Sequence, residues 1–277
     1  MKLGLIQMPV TAHRDQNVRT ALRYIEEMKQ QGAELAVLPE MFLCPYGNES
    51  FRSFAEPAGG PVWKAMSAAA KETGLYLVAG SLPEQGEDGR LYNTSFVFGP
   101  DGRELARHRK IHLFDIDVSG GQHFRESDTL SAGTHPTLFD TPFGRVGVCV
   151  CFDIRFPELS RWMALQGARL IVVPAAFNPT TGPAHWELVF RSRAVDNQVF
   201  TVGVAPARDE SAAYVSYGHT LAADPWGRLL AQFGAEAQAA VVELDLGKTD
   251  TVREQLPLLS ARRTDLYDLR WDSSSLR

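Results

Sequence analysis

The chain is short of several features that would each have directed its reading. Only three of its 277 residues are cysteine, Cys44, Cys149 and Cys151. An odd number without framework spacing argues against a disulfide scaffold and for a reduced, intracellular setting. No apolar run approaches the roughly 20 residues that cross a bilayer. The single lysine ahead of Leu3-Gly4-Leu5-Ile6 leaves no apolar stretch long enough for a signal peptide. A cytoplasmic protein without a membrane partner is the expectation. Basic residues are outnumbered 28 to 33, and a net charge of -5 argues against a nucleic-acid surface.

Several motifs are missing as well. Without a Gly-x-Ser-x-Gly elbow the chain does not read as a serine hydrolase, and without a Gly-rich phosphate loop it does not read as a nucleotide-dependent ligase. No histidine–glutamate zinc helix occurs, and His108 and His112 fall where a strand runs into a loop, off any common helical face. No metal and no cofactor are expected.

What the chain does have is organised around Arg145-Val146-Gly147-Val148-Cys149-Val150-Cys151, an apolar β run followed by Phe152-Asp153-Ile154-Arg155-Phe156-Pro157-Glu158. The run reads as a central strand, and Pro157 suits the first position of a helix. Cys151 is thus placed at a carboxyl strand end, where ligands collect in open α/β sheets. A thiol there is a candidate nucleophile, although a buried free cysteine is more often a small core residue. Cys149, two residues earlier on the same face, is read as packing. One intervening residue is not the spacing of a redox pair.

In chain order, residues 2–8 read as a strand and 18–28 as a helix with Asn17 as N-cap and Gly32 as the stop. A second strand covers 34–39. Residues 61–73 form a helix closed by Gly74, and strands follow at 75–80, 91–98 and 103–111 with glycine turns between them. From 111 to about 135 the pattern is irregular, as functional loops often are. Beyond the central strand come a helix at 157–166, a strand at 170–174 and a helix at 184–197. Strands at 199–205, 217–223, 228–232 and 240–245 and a short helix at 247–255 complete the domain, with a polar tail from about 257.

Gly32-Ala33-Glu34-Leu35-Ala36-Val37-Leu38-Pro39 is echoed by Gly167-Ala168-Arg169-Leu170-Ile171-Val172-Val173-Pro174. Either the chain contains two related βαβ halves whose strand ends share one cleft, or a common dipeptide precedes two apolar strands by coincidence.

Three residue types can together run amide chemistry. A cysteine nucleophile needs its proton removed and a developing oxyanion stabilised, which a carboxylate and an ammonium can supply. Glu40, at a strand end after Pro39, is one candidate or else a capping carboxylate. Lys110 is the other, or else a lysine that guards a strand edge. Alternation along Leu105-Ala106-Arg107-His108-Arg109-Lys110 puts Lys110 on the face opposite Arg107 and Arg109, so it can point inward while those two meet solvent.

On these residues the chain resembles the nitrilase superfamily of carbon–nitrogen hydrolases. Its Glu-Lys-Cys triad looks like Glu40 in Leu38-Pro39-Glu40, Lys110 in Arg109-Lys110-Ile111-His112-Leu113, and Cys151 in Cys149-Val150-Cys151-Phe152-Asp153. The likeness runs from the first strand to Arg263-Thr264-Asp265-Leu266-Tyr267. Within the superfamily, Phe114-Asp115-Ile116-Asp117 and Phe177-Asn178 resemble the omega-amidases. Thr181-Gly182-Pro183-Ala184-His185-Trp186-Glu187 is shared with amidases acting on deaminated glutathione, which therefore stay open as the alternative.

The resemblance implies an α/β fold, a four-layer αββα sandwich forming a single domain over 1–277. It also implies hydrolysis of the terminal amide of a small 2-oxo-acid amide, such as 2-oxoglutaramate or 2-oxosuccinamate, through a cysteine thioester. Glu126, in Phe124-Arg125-Glu126-Ser127, looks like the family's second glutamate, which helps to position the lysine; on its own it would read as a surface loop carboxylate. The backbone N–H of Phe152 is the implied second oxyanion donor. Arg155 is the first candidate for the substrate carboxylate, since a guanidinium matches it bidentately, with a structural salt bridge as the competing reading. Tyr46, Thr180 and Thr181 are candidate hydroxyl donors, whereas Phe177 and Trp186 read as core or pocket wall. A homodimer is implied, with the tail past Leu256 reaching the partner. The class that competes with all of this is a catalytically silent binding protein on the same fold.

Overall fold

A computed structural model of the chain describes residues 1–271. The first half runs β1 (Lys2–Gln7), α1 (Arg14–Gln30), β2 (Leu35–Val37), α2 (Asn48–Phe54), α3 (Pro61–Thr73), β3 (Tyr76–Gln85), β4 (Leu91–Phe98) and β5 (Glu104–Arg109). A two-stranded ribbon follows, β6 (Asp115–Asp117) with β7 (His123–Arg125). The second half runs β8 (Thr137–Thr141), β9 (Gly144–Val148), α4 (Pro157–Leu165), β10 (Ala168–Pro174), α5 (Gly182–Asn197), β11 (Phe200–Val204), β12 (Leu221–Ala223) and β13 (Leu229–Gln232). Then β14 (Gln238–Glu243) returns to the first sheet and α6 (Lys248–Gln255) follows.

Two six-stranded sheets result, ordered β14-β1-β2-β3-β4-β5 and β13-β12-β11-β10-β9-β8. In the first, β1, β2 and β3 are parallel and their outer neighbours antiparallel. In the second, β9, β10 and β11 are parallel with the same antiparallel flanks. The echoed segments lead into β2 and β10, which hold the same place in their sheets, so the repeat reflects two related halves.

Side-chain alternation assigns the layers. On β10, Leu170 and Val172 join Leu3, Leu5, Val37, Val78, Val146 and Val148 in a core between the sheets. Ile171 and Val173 face the other way, onto Leu159, Met163, Trp186 and Phe190 of α4 and α5. Ile6, Ala36 and Leu77 face Ile25 and Met28 of α1 and Met66 and Ala70 of α3. The order is therefore helices, sheet, sheet, helices.

Several boundaries differ from the sequence reading. Helix α1 begins at Arg14 with His13 as N-cap. Asn17 instead lies inside the helix, where its amide donates to the Thr11 and Leu43 carbonyls and its oxygen accepts the Thr11 N–H. The central strand ends at Val148, and Cys151 opens a 3-10 turn, Cys151–Arg155, so Cys149 and Cys151 do not share a strand face. Strand β12 starts at Leu221, because residues before it form a loop against the site. Helix α2, the ribbon and β8 carry too little periodicity to be seen in the sequence. Arg107 and Arg109 do lie opposite Lys110, yet they share the buried carboxylate of Glu84 and do not simply meet solvent. In the tail, Leu259 and Trp271 pack on the α4–α5 side, Trp271 against Trp162 of α4, while Leu266 and Tyr267 stay exposed. Its end, 272–277, lies outside the described residues.

Candidate active site

Glu40 is delivered by the turn after β2. That turn rests on an irregularity in β3, where the register shifts between Ala79 and Leu82. Gly80, at φ 41°, lets the Pro39 carbonyl approach so closely that a Cβ would stand 2.1 Å from it. The Ser81 hydroxyl then accepts the Met41 N–H at 3.1 Å. Lys110 follows β5 directly, its N–H donating to the Asn93 carbonyl on β4 at 2.8 Å. Cys151 takes a left-handed conformation, φ 47°, which a non-glycine residue adopts only when its surroundings hold it.

These three come together with Glu126, and all but Cys151, at 4%, have no exposed surface. The Lys110 ammonium donates to Glu40 Oε1 at 3.1 Å and lies 2.8 Å from Glu126 Oε2. Its third neighbour is the Tyr46 hydroxyl at 3.3 Å. Glu40 Oε2 accepts the Ala176 N–H at 2.7 Å, and Glu126 Oε2 accepts the Phe114 N–H at 2.7 Å. The Cys151 thiol stands near enough to Glu40 and the Ala176 backbone for both to act on its charge. Glu126 is not a surface loop carboxylate, and Lys110 does not guard a strand edge.

Burial shapes the electrostatics. It pushes the Glu40 carboxyl above its ordinary value, with Lys110 opposing and Glu126 reinforcing the rise. Burial opposes the Lys110 charge, but Glu126 and Glu40 outweigh it and hold the ammonium firmly protonated. The Cys151 thiol is pushed up by burial and by Glu40, so sulfur attack requires proton transfer to a nearby base. Cys149 is pushed up as well, by burial and by the nearby Asp153 carboxylate. Cys44 is pushed up to about 12 by burial.

The sequence reading missed Asn93. Its amide nitrogen donates to Glu40 Oε1 at 2.8 Å and to Glu126 Oε1 at 3.1 Å, tying the two carboxylates together. Tyr214 was missed too: it stacks on Tyr46 with ring centroids 4.5 Å apart, and its hydroxyl donates to the Ala176 carbonyl. Neither lies in a pattern that marks a site, since Asn93 sits on an ordinary strand and Tyr214 in a loop. A cavity of about 460 Å³ is lined by Glu40, Tyr46, Ala176 and Tyr214 among others, and Cys151 is not part of its lining.

The expected substrate-binding residues separate. Tyr46 belongs to the charged cluster, its hydroxyl between Lys110 and Glu126. Arg155, partly buried, donates to His185 Nδ1 at 3.1 Å and lies over the Phe177 ring at 4.3 Å. No carboxylate pairs with it among the described residues, so the structural salt bridge is absent. Burial depresses its pKa, as a guanidinium lacking a counter-charge requires. Thr181 spends its N–H and hydroxyl on Asn178 Oδ1, and Thr180 is exposed. Phe152 follows the nucleophile in the 3-10 turn, its ring against Phe114 and Phe156. Trp186 is core, while Phe177 packs on it and forms the ring beneath Arg155.

Two layered sheets with a buried glutamate, lysine and cysteine just beyond the ends of β2, β5 and β9 define an α/β hydrolytic enzyme class rather than one substrate. The carbon-nitrogen hydrolase family model matches residues 2–254, and the chain belongs to that family. It is 48% identical to omega-amidase NIT2 of Bos taurus over 268 residues, 97% of each chain, and 49% identical to omega-amidase NIT2-A of Xenopus laevis over the same shares. Among solved structures it resembles Nit3 of Saccharomyces cerevisiae, a member of branch 10 of the nitrilase superfamily. That match has a TM-score of 0.87 and 36% identity, over 95% of this chain and 96% of that one.

Proposed function

We propose that this chain is an omega-amidase that releases ammonia from the terminal amide of 2-oxoglutaramate and 2-oxosuccinamate. The observation that carries the reading is the convergence of Glu40, Lys110 and Glu126 beside Cys151, supported by omega-amidase relatives at 48–49% identity. Glu40 takes the thiol proton as sulfur attacks the amide carbon, and the oxyanion is held by Lys110 and the Phe152 N–H. Glu40 returns the proton to the departing nitrogen, the C–N bond breaks, and ammonia leaves a thioester on Cys151. Water gives a proton to Glu40 as its oxygen attacks the thioester, the C–S bond breaks, and Glu40 returns the proton to the Cys151 sulfur, leaving the free acid. Arg155 is proposed to hold the substrate carboxylate, since it is a partly buried cation with no carboxylate partner among the described residues. Thr180, Thr181 and Tyr46 are proposed as the polar groups around the bound substrate.

The test is ammonia release measured side by side on 2-oxoglutaramate, 2-oxosuccinamate, glutamine and deaminated glutathione. The two 2-oxo-acid amides should be fastest; preference for deaminated glutathione would move the chain to the sister activity. Cys151→Ala should lower turnover by roughly 10⁴-fold or more, whereas Cys149→Ala should stay active. Equal loss in both variants would contradict the assignment. Failure of any of these amides to react, with Cys151 also inert to alkylation, would favour a silent binding protein. The chain is further proposed to work in the cytoplasm as a homodimer, without a nucleic-acid partner. Among the described residues no helix is long and apolar enough to cross a membrane.

A further inference from the structure

Lys110 is flanked by two histidines, and both reach across to the turn that carries Cys151. His108 Nε2, fully buried, lies 2.9 Å from Asp153 Oδ2. His112 Nδ1 lies 2.8 Å from Asp153 Oδ1, and the His112 backbone N–H donates to that oxygen at 2.9 Å. A fourth donor, the Val150 N–H, reaches Oδ2 at 3.0 Å. Burial works against the Asp153 charge, but the two histidine hydrogen bonds win, and the carboxyl is held well below the usual carboxylate range. An ionised carboxylate only accepts, so each facing ring nitrogen carries a hydrogen.

The grip is braced on both sides. His108 Nδ1 meets the Thr137 hydroxyl on β8 at 3.0 Å, and the His112 ring stacks on Phe156 at 3.6 Å. His108 and His112 belong to the segment that carries Lys110; Asp153 and Thr137 belong to the other half. The sulfur and the ammonium therefore come from different sheets, and these contacts join their carriers beside the reacting atoms. The Cys151 turn also needs outside support, since a left-handed conformation is unfavourable for a residue with a side chain.

We propose that Asp153, gripped by His108 and His112, is the positioning residue that sets where the Cys151 sulfur stands relative to Lys110. The inference rests on the amidase reading for its chemistry and on geometry alone for the clamp. Asp153→Asn keeps the shape but turns one acceptor into a donor facing two donors. It should lower kcat by about 10²-fold, the order expected for a misplacement near 1 Å, with KM within about 3-fold. Alkylation of Cys151 by iodoacetamide should slow by a similar factor.

The histidines carry the test should Asp153→Asn fold poorly. His112→Asn and His108→Gln each keep an N–H near the lost ring nitrogen and should stay within about 3-fold of the parent, whereas His112→Phe and His108→Leu should fall about tenfold or more. Native kcat and native alkylation in Asp153→Asn would overturn the proposal. So would losses that merely follow the folded fraction, equal for the conservative and non-conservative histidine variants. Alkylation does not depend on the substrate, so an inactive protein on 2-oxoglutaramate would refute the function while leaving the clamp measurable.

Discussion

Two carboxylates and one ammonium, none with any exposed surface, crowd into one hydrogen-bonded cluster at Glu40, Glu126 and Lys110. Such a set survives burial only if every charged group finds hydrogen-bond partners, and removing one strands another at a cost of about 3–5 kcal/mol. Asn93 supplies the neutral donor both carboxylates need. The excess negative charge has a functional consequence, because burial and Glu126 raise the Glu40 carboxyl from its ordinary value of 4.5. Glu40 works as a base only when ionised, so activity is lost as pH falls through its raised pKa. The acid limb of kcat/KM should therefore have a midpoint above 4.5. A limb at or below that value, measured with enzyme shown to remain folded, would contradict the role. Lys110 contributes no alkaline limb of its own, since its glutamates keep it charged. At this scale the meeting of Glu40, Lys110 and Cys151 was legible from three ordered motifs and the family resemblance they carry. Asn93 was not, because an asparagine on a strand has no pattern to announce it.

The element scale turns on how a sheet releases one side chain into the cleft. Strand β3 stays in register on both sides of a local slip, and Gly80 and Ser81 in that slip receive the Pro39–Met41 turn. Gly80→Ala would place a methyl 2.1 Å from the Pro39 carbonyl at a φ of 41° that alanine disfavours. We expect a loss of roughly 1–3 kcal/mol, as for overpacked sites, read by urea unfolding, together with reduced kcat because Glu40 shifts with its turn. Unchanged stability and turnover would show that the close approach is relaxed at little cost. The apolar alternation of 75–80 marks a strand but not its slip, which depends on what docks against it. The irregular stretch 111–135 shows the same limit. Its sequence promised a functional loop, and folding brings Glu126 from it onto Lys110 and Phe114.

At the scale of the molecule, two halves of matching strand order close on one core, with Leu3, Leu5 and Val37 of one sheet against Val148, Leu170 and Val172 of the other. Along α5 and the β12–β13 turn, Leu188 and Trp226 stay 64% and 52% exposed. Apolar groups of that size on one flank support the proposed homodimer. Sedimentation velocity should give twice the chain mass, and Leu188→Glu should shift the population toward monomer without altering the fold. A parent protein monomeric at micromolar concentration would reject the dimer.

Local order announced much of this protein in advance: alternation and proline or glycine punctuation marked most strands and helices, the repeated Gly-Ala segment offered two related halves as one of two readings, and the family resemblance of three motifs singled out Glu40, Lys110 and Cys151. Tertiary structure alone decided which face of Lys110 meets which carboxylate, that Asn93 joins Glu40 to Glu126, and that Asp153 ties the cysteine turn to the lysine strand. The physical reason is reach. Periodicity reports on neighbours within one element, whereas these contacts join residues 16 to 70 positions apart, and only the pairing of strands within a sheet and the packing of the two halves bring them within hydrogen-bonding distance.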